Sequence, residues 1–248
     1  CAPLEPRQVI HAGANYRTHV IDLHVAHRDR SDGRDEAEVR REAEALMDAR
    51  AAEGTPYLFI GLPSAITGPY DTVTLPRGSA QHDWELELVA VIGREAYRVA
   101  QKEALQHVAG YTIGNDLTTR DLVFRSDMPA IGTDWLRSKN APGFTPLGPF
   151  VVPAEFVGDP MGLQVTLELN GEVMQDESTA DMLFDVAALV SAASQTVRLL
   201  PGDLLLTGSP AGNGIAHGRL LQDGDVMEGR ITGLGRQRTP VIAEDAQR

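Results

Sequence analysis

The 248 residues carry 35 acidic against 22 basic side chains, a formal net charge of −13 that works against a polyanionic partner and argues against nucleic-acid binding. A single cysteine, Cys1, excludes an intramolecular disulfide and a cysteine-built metal site, and suits a reducing, cytoplasmic compartment. No apolar run approaches the roughly 20 residues that cross a bilayer, and no basic-then-apolar leader opens the chain. A soluble, unexported protein with no membrane partner is expected, its Cys1 start being compatible with trimming.

In chain order, residues 28–53 are dense in both signs of charge and rich in helix formers, so their second half predicts a solvated helix, with Ser31 or Asp32 as its cap. A surface face is the plain expectation for such a run, and a lid beside an active site the functional alternative. Beyond Gly54, short apolar segments cut by Gly and Pro predict strands over 57–60, 73–75, 84–92, 149–152, 163–169 and 204–207. Clean alternation over 163–169 followed by Asn170-Gly171 predicts a hairpin with a type I′ turn. Helical spacing marks 102–109 and 184–197, the second stopped by Leu200-Pro201-Gly202-Asp203. No repeat, P-loop or G-x-G-x-x-G frame is present, so nucleotide cofactors lose support.

A strand through Asp83-Trp84-Glu85-Leu86-Glu87-Leu88 sends Glu85, Glu87 and Val89 to one face and Trp84, Leu86 and Leu88 to the other. Two carboxylates sharing a partly buried face repel unless a cation lies between them, and oxygen-only ligands suit Mg²⁺, Mn²⁺ or Ca²⁺. The competing reading is an edge strand with a wet acidic face. Asp116 ends another apolar stretch, far enough from Glu87 for a second strand to return beside the first; it serves equally as a turn former or helix cap.

Several motifs occur together in one order: Asn15-Tyr16-Arg17-Thr18-His19, Pro63-Ser64 through Gly68-Pro69, Asp83 to Leu88, and Gly110-Tyr111 through Asn115-Asp116 and Arg120-Asp121. Lys139, Pro146-Leu147-Gly148-Pro149, Asn170-Gly171-Glu172-Val173, Pro201-Gly202-Asp203 and Thr207-Gly208-Ser209-Pro210 follow. In this combination the chain resembles the fumarylacetoacetate hydrolase superfamily over residues 13–243. The resemblance implies an α+β, strand-dominated fold, a mixed β-roll with peripheral helices. It implies an N-terminal segment, 1–54, carrying the His motif and the charged lid-like helix, and a catalytic roll, 55–248, the two working as one unit.

It further implies a homodimer and Mg²⁺ or Mn²⁺, with Ca²⁺ as an in vitro substitute, held by Glu85, Glu87 and Asp116. His19, paired with Asp22, would be the general base that activates water, and Lys139 would bind substrate oxygens. Tyr16, Arg17, Arg120, Thr207 and Ser209 would complete the substrate contacts. The activity implied is hydrolysis of a carbon–carbon bond in a small 1,3-dicarbonyl, a diketone or acylpyruvate-like compound, through an enolate held at the metal. Decarboxylation, hydration or isomerisation of a 2-oxo acid is the alternative on the same scaffold, and a catalytically idle binding protein a third.

Judged singly, His19 also fits a surface or core histidine and Lys139 a solvated lysine. Three positions depart from the pattern: Asp22 stands where many relatives carry Glu, Gly61 where a lysine is usual, and Val123 where a glutamine is common. The loss of a cation and an amide predicts a less anionic diketone, cyclic or alkyl-substituted.

Overall fold

Leu86–Ile92 has two buried faces. Leu86, Leu88, Ala90 and Ile92 enter the main core, whereas Val89 and Val91 join a second apolar layer with Val9, Leu204 and Leu206. A strand apolar on both sides belongs in the middle of a sheet, and the computed structural model, which describes residues 1–26 and 33–244, has it there. Six strands run in the order Val152–Pro153, Val108–Asn115, Leu86–Ile92, Leu204–Leu206, Val9–Gly13 and Tyr57–Gly61. Neighbours are antiparallel except Val9–Gly13 with Leu204–Leu206.

A second sheet has the order Glu172–Ser178, Gln164–Leu169, Val226–Ile231, Arg236–Ala243 and Val73–Leu75. The main core lies between the sheets, where Leu86, Leu88 and Ile113 belong to the same apolar cluster as Val165, Leu167, Met227 and Ile231. Helix Val186–Thr196, capped by Asp185, adds Val186, Leu189, Val190 and Ala193. The protein is a mixed α+β, strand-dominated fold with helices at its periphery. Because Val9–Gly13 is bonded on both sides, the N-terminal segment shares a sheet with the rest of the chain.

The hairpin turn forms with Asn170 at φ 53° and Gly171 at φ 84°, as a type I′ turn requires. Helix Glu36–Glu53 starts at Asp35, whose side chain accepts from the Glu38 N–H at 2.7 Å; Ser31 and Asp32 lie outside the described residues. The expected helix over 102–109 stops early: Gln101–Ala104 is followed by one 3₁₀ turn, and Val108 already pairs with Ile92. The long ladder it joins there outweighs local helical spacing. Strand 149–152 shrinks to Val152–Pro153, preceded by a cis Gly148–Pro149 bond.

The strand expected over 84–92 begins only at Leu86. Side chains replace ladder bonds before it, the Trp84 N–H donating to Asp83 Oδ1 at 2.8 Å and the Glu85 N–H to Asn115 Oδ1 at 2.9 Å. Helix Arg17–Ala26, for which no pattern was evident, is tied at its first turn by Asp181, which accepts from the Thr18 N–H at 2.9 Å.

Candidate active site

The antiparallel register pairs Leu86 with Asn115 and Glu87 with Gly114, so Asp116 emerges beside Glu85, and its N–H donates to the Glu85 carbonyl at 2.8 Å. Oxygen atoms of Glu85, Glu87 and Asp116 all lie within 4.8 Å of one another, and the three residues are 8%, 2% and 1% exposed. Three buried carboxylates so close cannot all stay ionised without positive charge nearby.

Lys139, at the end of helix Trp135–Lys139, supplies part of it. Its Nζ lies 2.6 Å from Glu85 Oε2, 2.5 Å from Asp116 Oδ2 and 2.8 Å from Thr118 Oγ1. Arg120 adds a second cation, its Nη1 at 2.8 Å from Glu85 Oε1 and its Nε at 2.7 Å from Asp83 Oδ2. Asp83 also accepts from the Gly214 N–H at 2.6 Å, fastening the start of the short helix Gly214–His217 beside the carboxylates.

Burial alone would raise the Glu85 carboxyl, but Lys139 and Arg120 outweigh it and hold it below the usual range. Burial likewise loses to His11 and Lys139 at Asp116, which is also lowered. Glu87 goes the other way: burial and then the Asp116 charge push it well above a normal glutamate, and the Gly208 N–H at 2.7 Å offsets only part of this. With all four ionised, Asp83, Glu85, Glu87 and Asp116 outnumber Lys139 and Arg120 by two negative charges, the charge one divalent cation balances; without such a cation the excess is relieved by the raised Glu87 carboxyl keeping its proton. Asp116 Oδ1 is buried and, among the described residues, has no hydrogen-bond partner. An all-oxygen donor set with a free lone-pair site fits Mg²⁺ or Mn²⁺.

These groups floor a cavity of about 470 Å³ that His19, Arg120 and Ser209 also line. Leu23, Phe59, Val123, Phe124, Trp135 and Ile215 make its apolar wall. Phe59 and Trp135 stack at 4.7 Å between ring centres, with Lys139 Nζ 5.9 and 5.7 Å from the two rings. Burial lowers the His19 pKa to about 4, with Arg120 adding to the fall and Glu85 opposing it, so the imidazole is neutral at pH 7.

Seven expected site residues therefore converge: Glu85, Glu87, Asp116, Lys139, His19, Arg120 and Ser209. The other four sit apart from the cavity. Asp22 does not hydrogen-bond His19; its short arm meets Arg40 of the charged helix at 3.0 Å, and neither His19 nitrogen has a hydrogen-bond partner among the described residues. Arg17 is turned outward to Asp48, with Nε at 3.0 Å and Nη2 at 2.9 Å from Oδ1. Tyr16 is fully buried beneath the site, its phenol raised by burial and by the Glu87 charge. Thr207 Oγ1 donates to the Leu88 carbonyl at 2.9 Å, a structural bond. Lys139, expected at substrate oxygens, directs its donors to Glu85, Asp116 and Thr118.

The sequence reading missed Asp83, His11, Phe59 and Trp135. Asp83 shares the two-residue spacing of Glu85 and Glu87 and was legible by it; no local pattern marks the other three.

A family model described as fumarylacetoacetate (FAA) hydrolase C-terminal matches residues 8–242. The chain is 41% identical over 191 residues to 2,4-didehydro-3-deoxy-L-rhamnonate hydrolase of Sphingomonas sp. (strain SKA58), covering 75% of this chain and 65% of that protein. It is 40% identical over 182 residues to the mitochondrial oxaloacetate tautomerase FAHD2A of Bos taurus, covering 73% and 57%. It thus spans less than two thirds of the length of either. Among solved structures it is similar to fumarylpyruvate hydrolase from Pseudomonas aeruginosa in complex with Mn²⁺ and pyruvate, at TM-score 0.75 and 28% identity, covering 97% of this chain and 91% of that one. A fumarylacetoacetate hydrolase from Exiguobacterium antarcticum gives TM-score 0.76 at 35% identity, covering 98% and 78%. With a family model matching residues 8–242 and solved members of the family sharing its fold, the chain belongs to the fumarylacetoacetate hydrolase superfamily.

Proposed function

We propose that the protein is a divalent-metal-dependent enzyme that hydrolyses a carbon–carbon bond in a small 1,3-dicarbonyl compound carrying an apolar substituent. The observation that carries this reading is one cavity holding both the three-carboxylate cluster and a neutral histidine. Mg²⁺ or Mn²⁺ held by Glu85, Glu87 and Asp116 would supply Lewis-acid polarisation of the substrate oxygens.

The remaining work falls to the protein. His19, neutral at pH 7, takes a proton from water at a ring nitrogen as the water adds to one carbonyl carbon, and returns it to the departing carbon after the bond breaks. Water is consumed, and the products are a carboxylic acid and a ketone. Lys139 and Arg120 bring positive charge to the place where negative charge grows on the leaving fragment. Arg120 Nη2 is buried and has no hydrogen-bond partner among the described residues. Phe59, Val123, Phe124 and Trp135 suit an alkyl or ring substituent and exclude bulk water.

The hydrolase names of two relatives support the cleavage reading. One observation favours a second reading, tautomerisation or isomerisation of a 2-oxo acid, which needs a base but no oriented water: Asp22 is bound to Arg40, so His19 has no carboxylate to aim it. Helix Glu36–Glu53 suits the role of lid, since its Arg50 donates to the carbonyl of the cavity-lining Ala14 at 2.6 Å. A cytoplasmic homodimer completes the proposal.

The test is a panel of 1,3-dicarbonyls and 2-oxo acids incubated with Mg²⁺ or Mn²⁺, with products identified. Acid plus ketone from a neutral diketone supports cleavage. Keto–enol exchange without cleavage supports the second reading, and inertness toward the whole panel contradicts both.

A further inference from the structure

His11 and Gly61 are two strand residues to which the proposed reaction assigns no step. His11 lies opposite Phe59 in the antiparallel pair of Val9–Gly13 with Tyr57–Gly61, and is 2% exposed. The His11 and Phe59 rings stack with centres 5.0 Å apart and planes 18° apart, and Phe59 stacks in turn on Trp135. Three rings thus form a column from the cavity wall inward. At its inner end His11 Nδ1 lies 3.1 Å from Asp116 Oδ2, off the ideal hydrogen-bond line, and has no other partner among the described residues.

Space for the imidazole depends on Gly61. A Cβ at that position would fall 2.1 Å from His11 Nε2 and 2.9 Å from Cδ2. The ring has Phe59 against its face and cannot swing clear cheaply. Asp116 shows the consequence: Oδ2 is approached by both His11 and Lys139, and Oδ1 is left without a partner. Two close neighbours on one oxygen of a carboxylate restrict its rotation and leave the other oxygen free to serve a ligand.

We propose that His11 is a positioning residue for Asp116, held by the Phe59 ring and admitted by the missing side chain at Gly61. This rests on the reading of Asp116 as a metal ligand, and it assigns to His11 the outer contact that orients such a ligand. Asn presents an amide nitrogen near the position of Nδ1 and preserves the contact; Leu fills much of the volume and cannot donate.

Titration calorimetry with Mn²⁺ alone, on the unaltered chain and its variants, tests this without substrate. His11→Leu is expected to weaken Mn²⁺ binding about 10- to 100-fold, with His11→Asn retaining most of the affinity. Gly61→Ala is expected to weaken binding when His11 is present and to have little further effect in the His11→Ala background, a non-additivity that contact predicts. Should His11→Leu fail to fold, the Asn variant and the Gly61 pair still decide. Unchanged affinity in His11→Leu, equal loss in His11→Asn and His11→Leu, or additive Gly61 effects would overturn the proposal alone. Absence of Mn²⁺ uptake by the unaltered chain would overturn it together with the metal reading.

Discussion

The Lys139 ammonium lies 2.6 Å from a carboxylate oxygen of Glu85, and both residues are buried. Removing one partner of such a pair strands the other's charge, at a cost of about 3–5 kcal/mol. Lys139→Met is therefore expected to lower the metal-free protein's unfolding free energy by that order in urea titrations. Added Mn²⁺ should restore part of it by supplying the missing charge. Equal denaturation midpoints for the two proteins would mean that the ammonium and carboxylates are not paired in solution.

His19 gives the protein a stability term with a defined pH window. Its pKa falls from the ordinary 6.5 to about 4 on folding, chiefly through burial. Between these values the unfolded chain binds a proton that the folded chain refuses, so the stabilisation is full above pH 6.5 and declines toward pH 4. His19→Gln should flatten that decline, by up to about 3 kcal/mol between pH 7 and pH 4. The check is urea midpoints of both proteins across the range; parallel pH profiles would count against a buried neutral imidazole.

Saturating Mn²⁺ should stabilise the folded protein, by about 2.7 kcal/mol at one hundred times the dissociation constant. For a chain of this size that is a rise of roughly 5–10 °C in Tm. Asp116→Asn is expected to lose most of the rise. A scan in which the variant shifts as far as the unaltered protein would remove Asp116 from the ligand set.

The apolar wall predicts substrate preference. Trp135→Ala should raise KM for an alkyl- or ring-substituted diketone about 10- to 100-fold while leaving acetylpyruvate nearly unaffected. Val123→Gln should move the preference toward acetylpyruvate by restoring a polar contact at a cavity-lining position. Measured kcat/KM ratios for the two substrate types decide it, and a strong preference of the unaltered protein for acetylpyruvate would count against the apolar-substituent reading.

Much of the site was legible because strand alternation is a strict rule: once Leu86 and Leu88 face the core, Glu85 and Glu87 must share the other side. Asp116 was legible as the end of a returning strand, although its place beside Glu85 depends on a register that only the folded sheet supplies. Contacts made by long or short side chains across elements were not legible. Asp22 meets Arg40 and Arg17 meets Asp48 because two helices happen to face each other there, which no local spacing encodes. His11 reads in the sequence as an ordinary strand residue, and its relation to Asp116 appears only when Val9–Gly13 is laid between Leu204–Leu206 and Tyr57–Gly61. Helical spacing at 102–109 misled because the last two residues belong to a ladder of greater reach than their own neighbours.

The measurement closest to the central claim is dicarbonyl turnover by chelator-stripped protein before and after adding Mn²⁺, with products identified. Cleavage should vanish on stripping and return with the metal, and Glu87→Gln should not recover. Undiminished cleavage by the stripped protein, or full recovery by the variant, would contradict a reaction centred on these three buried acids.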